Sequence, residues 1–405
     1  MDDRLGSEDT SWLHMEDPVN PMVVSSLVEL GSVLAVEDVR ALLERGLPAR
    51  FRCRMEEPSG GFGAVRLTPM SSFRIETHVV EKQLPAGDAA LVEFVGQEVS
   101  TLLDRSVPLF RVHVVNREGS PTVLLFRVHH ALADGFALME LLFSLCDEHA
   151  TDHATQTTHG ASAGSVLAHA ASLARLVFLP PDPRTRLKNK LSCEKRVAWS
   201  APIPLSRIKE LGNASHATAN DVLVSAVAGA LGSYLREHGE EPKNLRAMVP
   251  VNLRRHDVAA SLDNRFGLVV LSLPVGIVPA EERRVEVKRR MDRLKASPEA
   301  FVAMDLLQLM GRVPRPLEDL GVRFFGSKAS LVLTNVPGPR TTLHLCGAPI
   351  ERLVFWVPQA AKMGLGVSIF SYAGNVTLGV LADVLVCPEP EVVVRALVHE
   401  LSGSP

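Results

Sequence analysis

Short apolar segments with strand patterns alternate along this chain with segments of helical periodicity, and this alternation limits the folds it can adopt. Segments 109–115 and 123–128 flank a turn-forming stretch and predict a hairpin. Five further strand-like segments follow in the second half: 247–251, 268–274, 330–334, 366–370 and 376–381. Mixed patterns of this kind predict an α/β protein with two lobes, each built on a sheet.

Helical spacing of apolar residues marks the other elements. At 29–45, Val33, Val36 and Val39 fall on one face and predict an amphipathic helix. A buried helix rich in Val, Ala and Gly is predicted after the stretch 218–221 and through Leu231, with Thr218 or Asn220 as its cap. Other helical patterns occupy 136–145, 166–179, 280–295 and 389–401.

A stretch poor in bulky apolar residues, 151–165, predicts a boundary. We therefore place an N-terminal lobe at 1–150, a linker or crossover at 151–195 and a C-terminal lobe at 196–405. Within the linker, the helix at 166–179 precedes a basic cluster. A crossing helix with a solvated basic tail is favoured over contact with an anionic membrane surface.

Composition excludes several classes of function. A formal net charge of -3 and an aromatic content of 5% argue against a nucleic-acid partner. The five cysteines lie far apart and predict neither a zinc site nor a disulfide framework, which fits a reducing cytoplasm. The acidic start is unlike a secretory signal. The longest apolar runs are shorter than the roughly 20 residues that cross a bilayer.

The stretch VHHALADG at 128–135 contains two adjacent histidines and an aspartate between a predicted strand and a predicted helix. Along a strand, His129 and His130 point to opposite faces and cannot share one metal ion, and no third ligand stands nearby. A histidine at a strand end is held rigidly and, with an ordinary pKa of about 6.5, can act as a general base. A buried polar pair without chemistry is the alternative that the residues alone leave open.

Asp134 and Gly135 predict a tight turn into the following helix. Glycine permits unusual backbone angles, and an aspartate can accept hydrogen bonds from exposed amides or pair with an arginine such as Arg254. We expect Asp134 to hold the turn and thereby the histidines.

The HHxxxDG pattern, after an apolar strand and before an apolar helix, resembles the active-site motif of the CoA-dependent acyltransferase and condensation-domain superfamily. Seven further segments, in order along nearly the whole chain, are similar to the bacterial wax ester synthase/diacylglycerol acyltransferase family: SWLHMEDPVNPM (11–22), VPLFRVHVV (107–115), ATANDVLVSAVAGALGSYL (217–235), MVPVNLR (248–254), DNRFG (263–267), LTNVPGP (333–339) and SYAGNVTLGVLAD (371–383).

This resemblance implies a two-lobed α/β fold, each lobe a mixed sheet flanked by helices, with an active-site tunnel between the lobes. Acyl-CoA and an acceptor, a fatty alcohol or diacylglycerol, would enter from opposite sides to form wax ester or triacylglycerol. His130 would be the general base, with His129, Asp134 and Gly135 supporting it. The reaction would need no metal, no cofactor and no covalent enzyme intermediate.

An oxyanion develops in such a reaction and requires a hydrogen-bond donor. Asn264 and Asn335 are the candidates, although each can equally shape a turn. Asn220-Asp221 matches a pair in the family, yet helix capping explains it. Phe110 replaces the tryptophan of the family's usual Pro-Leu-Trp, so we expect this part of the tunnel to influence acceptor and chain length.

Two other functions remain open from the sequence. A condensation-type enzyme would take its acyl group from a carrier protein, although no carrier motif is evident, and a non-catalytic lipid-binding protein would keep only the lobes. Because the expected substrates are insoluble, a cytoplasmic enzyme would work at the surface of the inner membrane or of lipid droplets.

Overall fold

The computed structural model describes residues 4–58, 65–148, 166–213, 215–252, 266–295, 297–310 and 315–402. Its helices are α1 (Ser7–Met15), α2 (Val36–Gly46), α3 (Asp88–Val99), α4 (Gly135–Ser144), α5 (Val166–Phe178), α6 (Leu205–Asn213), α7 (Ala219–Glu237), α8 (Ala280–Lys295), α9 (Glu299–Met310), α10 (Arg315–Gly326) and α11 (Pro390–Ser402). Its strands are β1 (Val23–Leu30), β2 (Cys53–Glu56), β3 (Arg66–Pro69), β4 (Val79–Leu84), β5 (Phe110–Arg117), β6 (Ser120–His129), β7 (Lys195–Trp199), β8 (Ile203–Pro204), β9 (Leu245–Asn252), β10 (Phe266–Leu273), β11 (Leu331–Pro337), β12 (His344–Leu345), β13 (Ala348–Trp356), β14 (Leu365–Tyr372) and β15 (Asn375–Asp383).

The first lobe is built on a six-stranded sheet with the order β12-β13-β1-β6-β5-β4. Strands β5 and β6 form the predicted hairpin, with Arg117 opposite Ser120. Gly119 takes a positive φ of 68° in the turn, a conformation that favours glycine. Strand β6 is nearly buried along its length because it pairs on both sides and is covered on both faces.

The second lobe is built on a seven-stranded sheet whose main path is β10-β9-β11-β14-β15-β7, with β8 added beside β15. The mixed α/β architecture with two sheets is therefore as predicted. Strands β12 and β13, however, come from the second half of the chain and lie in the first sheet, where β13 is antiparallel to β1. A division at 151–195 therefore does not separate the two sheets completely.

Helix α7 is the buried helix expected from its small and apolar residues. Thr218 caps it by accepting a hydrogen bond from the Asp221 amide, and the Asp221 carboxylate accepts from the Thr218 amide at 2.9 Å. This reciprocal capping box satisfies amides that a buried helix end would otherwise leave without partners. The second core forms around α7 as α8 and α11 pack against it.

Helix α1 belongs to the first lobe but also contacts α9 and α10 of the second. Between these lobes, His14 Nδ1 lies 2.9 Å from a carboxylate oxygen of Glu318. The loop between α1 and β1 is held from the second sheet, because Lys195 Nζ donates to the Val19 carbonyl at 2.9 Å and pairs with buried Asp383. The segment before β1 thus bridges both lobes.

The helix predicted at 29–45 is wrong in its first turns. Residues Glu29 and Leu30 end β1, and α2 begins only at Val36. Val33, which fits the helical spacing, lies in the connecting loop and is 69% exposed. An apolar residue in a loop extended the periodic pattern by coincidence.

The prediction of a solvated basic tail after α5 is right only in part, because Arg184 and Lys190 are exposed whereas the other two cations pack against the second lobe. Lys188 Nζ donates to the carbonyls of Ser327 and Ala329, the latter at 3.1 Å. The guanidinium of Arg186 lies 5.5 Å from the Tyr234 ring centroid. These cations hold the crossover against the second lobe.

Candidate active site

The tandem histidines lie where β6 ends between its two neighbouring strands. The His129 amide donates to the Leu109 carbonyl at 2.9 Å, on the side of β5. The His130 amide donates to the Met22 carbonyl at 2.8 Å, on the side of β1. Hydrogen bonds in opposite directions from successive residues fix the backbone at both histidines.

Both nitrogens of the His129 ring are engaged by the protein. Nδ1 accepts from the Ala131 amide at 3.0 Å, so the ring hydrogen is on Nε2, which lies 3.3 Å from Glu16. His129 is fully buried. It is therefore arranged as a support for the turn rather than as a base or ligand.

Glu16 connects several parts of this support. Its carboxylate accepts from the Met22 amide at 3.2 Å and pairs with Arg105 at 3.1 Å. Burial raises the pKa of Glu16, but His129 and Arg105 outweigh burial and hold that pKa below its usual value. The carboxylate is thus kept charged beside the histidine turn.

Asp134 is the N-cap of α4, and its Oδ1 accepts from the Ala137 amide at 2.8 Å. This is the bracing contact expected of the aspartate, while Arg254 lies outside the described residues. Gly135 does not adopt a positive φ, so the expected need for unusual backbone angles is wrong. A Cβ there would meet nothing within 4 Å, and the glycine instead keeps a wall of the neighbouring cavity open.

His130 points into a cavity of about 780 Å³, including its opening, between the two sheets. Apolar side chains from both lobes line most of it, among them Val24 of β1 and Val332 of β11. The His130 ring stacks on the indole of Trp12, with ring centroids 4.0 Å apart and planes inclined at 21°. An imidazole ring therefore faces a largely apolar space.

Two further apolar cavities adjoin this one. A cavity of about 770 Å³, including its opening, lies between α1, α9 and α10 and shares four wall residues with it: Trp12, Met248, Leu268 and Ala360. A cavity of about 490 Å³, again including its opening, lies beneath α4 and shares Val24 and Phe355. The cavity containing His130 therefore lies between two extensions.

Phe110 lines the cavity beneath α4 and not the one that contains His130. Its ring makes an edge contact with Phe51 at a centroid distance of 5.3 Å and stacks on His78 at 4.3 Å. The residue predicted to influence the tunnel is thus placed away from the base, at the wall of one extension.

Of the two asparagine candidates, the described residues include Asn335, and its side chain does not line the cavity that contains His130. Asn264 lies outside the described residues. Side chains alternate along β11, so Val332, Thr334 and Val336 line the cavity. Asn335 faces the other way and donates to the Asn220 Oδ1 at 2.7 Å.

Thr334 is the residue that sequence reasoning missed. It lines the His130 cavity, and no hydrogen bond to its side chain occurs among the residues that the structure describes. Its neighbour across the strands, Ser368, also lines the cavity but donates to the Phe355 carbonyl. The period of two along Leu331–Pro337 was the available signal, because it places Thr334 and Asn335 on opposite faces.

Comparisons with known proteins agree with this geometry. A family model described as the wax ester synthase/diacylglycerol acyltransferase catalytic domain matches residues 5–177, and the WS/DGAT C-terminal domain matches residues 262–403. A probable diacylglycerol O-acyltransferase of Mycobacterium tuberculosis is 29% identical over 82% of this chain and 80% of its own length. A putative diacylglycerol O-acyltransferase of Mycobacterium bovis is 26% identical over 99% of this chain and 90% of its own.

Solved structures share the fold. The wax ester synthase/diacylglycerol acyltransferase from Marinobacter aquaeolei VT8 superposes with a TM-score of 0.76 at 23% identity, covering 98% of each chain. The first condensation domain of the CDA synthetase superposes with a TM-score of 0.63 at 14% identity, covering 99% of this chain and 96% of its own. At these identities the likeness concerns the fold, the two-lobed architecture of CoA-dependent acyltransferases.

Replacing Glu16 tests the support of the histidine turn. A carboxylate with a lowered pKa stabilises the fold above its ordinary titration range, and this contribution is lost as the pH falls through the lowered value. We expect Glu16→Gln to reduce the free energy of unfolding at pH 7 by about 2 kcal/mol. The difference from the parent protein should shrink when urea unfolding is repeated below pH 4.5.

Glu57→Gln is the matched control, because Glu57 also pairs with Arg105 at 3.1 Å but its side chain is 33% exposed. It should cost at most about 0.5 kcal/mol at either pH. A Glu16→Gln effect that is equally large at low pH would contradict the role of the charge.

Proposed function

The chain belongs to the wax ester synthase/diacylglycerol acyltransferase family and is an O-acyltransferase, and from that premise we propose that it transfers a long-chain acyl group from acyl-CoA to a fatty alcohol or diacylglycerol. His130 is the general base of the proposed reaction. The observation that carries the proposal is the position of His130 in an apolar cavity with an extension on either side.

The lining of these cavities fits hydrocarbon substrates. Burial of each methylene group contributes about 0.8 kcal/mol, so an apolar channel binds long chains strongly without specific polar contacts. With one extension for the acyl chain and the other for the acceptor, both chains meet at His130. The names of the mycobacterial relatives favour diacylglycerol as acceptor, and the Marinobacter name includes wax ester synthesis.

The proposed reaction proceeds in two steps. His130 accepts the proton of the acceptor hydroxyl while that oxygen attacks the thioester carbonyl, which forms a tetrahedral oxyanion and an imidazolium. The oxyanion then re-forms the carbonyl and breaks the carbon–sulfur bond. The leaving CoA thiolate takes the proton from His130, so the histidine returns to its neutral form.

The hydroxyl of Thr334 is the proposed donor to the oxyanion. It lies in the wall of the same cavity, and the hydroxyl of Ser368 is already donated to a backbone carbonyl. A preorganised donor in a site with little water strengthens its hydrogen bond as charge develops on the carbonyl oxygen. Asn264 stays a prediction from the sequence for the oxyanion donor, whereas the Asn335 side chain donates to Asn220.

Two alternatives give different results in the same assay. A condensation-type enzyme, whose fold is shared, would require an acyl group on a carrier protein and would release no thiol from acyl-CoA. A non-catalytic lipid-binding protein would release no thiol from acyl-CoA or from an acylated carrier protein.

Purified protein should release free thiol from palmitoyl-CoA when hexadecanol or dioleoylglycerol is present, and should form the matching ester. His130→Ala should lower kcat by about 100-fold or more, because proton transfer loses its base. His238→Ala is the control, because His238 lies at the C-terminal end of α7 and does not line the cavity. Absence of release with every acceptor would refute acyl-CoA as donor, and release that survives His130→Ala would refute the base.

Thr334→Val removes the hydroxyl at nearly constant shape and should lower kcat by about 100-fold with little change in KM. Thr334→Ser should retain most of the activity. Thr377→Val is the matched control, because Thr377 is a buried threonine of the same sheet that does not line the cavity. Full activity in Thr334→Val would exclude the hydroxyl as the donor.

We further propose that an anionic membrane surface binds the outer faces of α5 and α10. Six large apolar side chains are exposed there: Leu173, Val177, Phe178, Leu317, Leu320 and Phe324. Lys328, just after α10, connects the two helices. Its Nζ lies 4.1 Å from the ring centroid of Phe324 on α10 and donates to the carbonyl of Leu179, just after α5. Their inner faces, through Leu176 and Val322, line the cavity that continues to His130.

The charged side chains beside this apolar surface favour an anionic membrane as its binding partner. Arg323 of α10 is exposed, and the Arg175 side chain of α5 is 60% exposed although it pairs with Glu299 at 3.5 Å, while Asp319 is an exposed acid on α10. An apolar patch with basic residues beside it matches anionic headgroups above acyl chains. Acceptor lipid can then reach the cavity without crossing water. Within the described part of the chain no helix has the length and apolarity of a transmembrane span.

The double substitution Phe178→Ser and Leu320→Ser should lower cosedimentation with phosphatidylglycerol-containing vesicles by about 10-fold, since two exposed apolar anchors are lost. The control is Val278→Ser with Val285→Ser, at 62% and 53% exposure in the loop before α8 and on α8 itself, which should bind like the parent. Unchanged vesicle binding, or loss of self-association instead, would overturn the membrane assignment.

A further inference from the structure

Helix α1 places an indole against the ring of His130. Trp12 is 3% exposed and His130 is 6% exposed, and their planes are nearly parallel at a centroid distance of 4.0 Å. Both side chains line the same cavity. The indole therefore covers one face of the imidazole and leaves its edge for the substrate.

The position of α1 relative to His130 is set by contacts with the residues on either side of it. Asp9 of α1 pairs with Arg50, and Arg50 donates to the Ala131 carbonyl at 2.8 Å. Just after α1, Glu16 contacts His129. Because residues 129 and 131 are both tied to this helix, Trp12 and His130 cannot easily separate.

We infer that Trp12 is a positioning residue for His130 and that its π face stabilises the imidazolium formed when His130 accepts a proton. The stabilisation follows from the negative face of the indole quadrupole, and it is larger where water is excluded. The role of the imidazolium in turnover rests on the proposed function, whereas the stacking and its effect on protonation do not.

The charged groups around His130 are distinct from this contact. Asp134, which caps α4, lines the same cavity, and its negative charge also favours the imidazolium. On the side of α1 and β1, Glu16 is directed to His129, and Arg50 is directed to the Ala131 carbonyl. Substitution of Trp12 leaves all of these charges in place, so its effect can be measured separately.

Trp12 also forms part of the wall between the His130 cavity and its extension towards α9 and α10. Loss of its bulk would therefore alter substrate binding as well as the stack. Two variants separate these effects. Trp12→Phe keeps a smaller aromatic face, and Trp12→Leu keeps an apolar side chain without a π face.

The decisive measurement is the titration of His130 followed by NMR of the full-length protein with labelled histidine, with the His130 signal assigned from its absence in His130→Gln. In Trp12→Leu the titration midpoint should fall by about half to one pH unit, because the imidazolium loses its π partner. Trp12→Phe should lie between this variant and the parent. Trp199→Leu, which removes a tryptophan in edge contact with Trp356 instead, should leave the midpoint unchanged.

Activity gives a second readout. The acidic limb of the kcat/KM profile should move to lower pH by the same amount in Trp12→Leu, and kcat should fall by about 10-fold. A His130 midpoint that is unchanged or raised in Trp12→Leu would overturn the inference. If no acyl-CoA is turned over, the proposed function fails, while the NMR titration still tests the contact between the two rings.

Discussion

The contact between the buried carboxylate of Glu16 and the ring of His129 is the constraint on which the candidate site depends. It orients His129 so that Nδ1 accepts from the Ala131 amide, and the turn after β6 then directs His130 to the opposite side. The same carboxylate holds Met22, whose carbonyl accepts from the His130 amide. Buried polar groups that satisfy one another in this way define one arrangement of the turn. His130 can therefore face an apolar cavity while its backbone stays fixed.

The second requirement is the interleaving of the lobes. Strands β12 and β13 join the first sheet although β11 and β14, which precede and follow them in the chain, belong to the second, and α1 reaches from the first lobe to α9 and α10. Segments that cross between lobes hold the two sheets on either side of one cavity. Its walls come from both sheets, so neither half of the chain could form the site alone. The proposed chemistry needs this arrangement, because two hydrophobic substrates must meet at one base away from water.

Local sequence patterns predicted several parts of the molecule for clear reasons. The β5–β6 hairpin, the helix after Gly135 and the capped helix α7 were confirmed because turn residues, apolar spacing and side-chain capping act within a few residues. The helix at 29–45 failed at its start because one loop valine matched the period. Asn335 was proposed from its motif, yet strand alternation turns it towards Asn220 and brings Thr334 to the cavity. A motif predicts which segment lies near the site, whereas the direction of each side chain depends on the strand's register.

By itself, the sequence determined the α/β class, the place of the histidines between a strand and a helix, and the bracing role of Asp134, since these depend on short-range periodicity and capping. Its ordered family motifs also identified the acyltransferase family. Only the tertiary structure decided that Glu16 supports His129, that Trp12 covers His130, that Phe110 lies at the wall of an extension and that Thr334 lines the cavity that contains His130. Each of these contacts joins residues distant in the chain. Such contacts arise from the packing of whole elements, which no local pattern encodes.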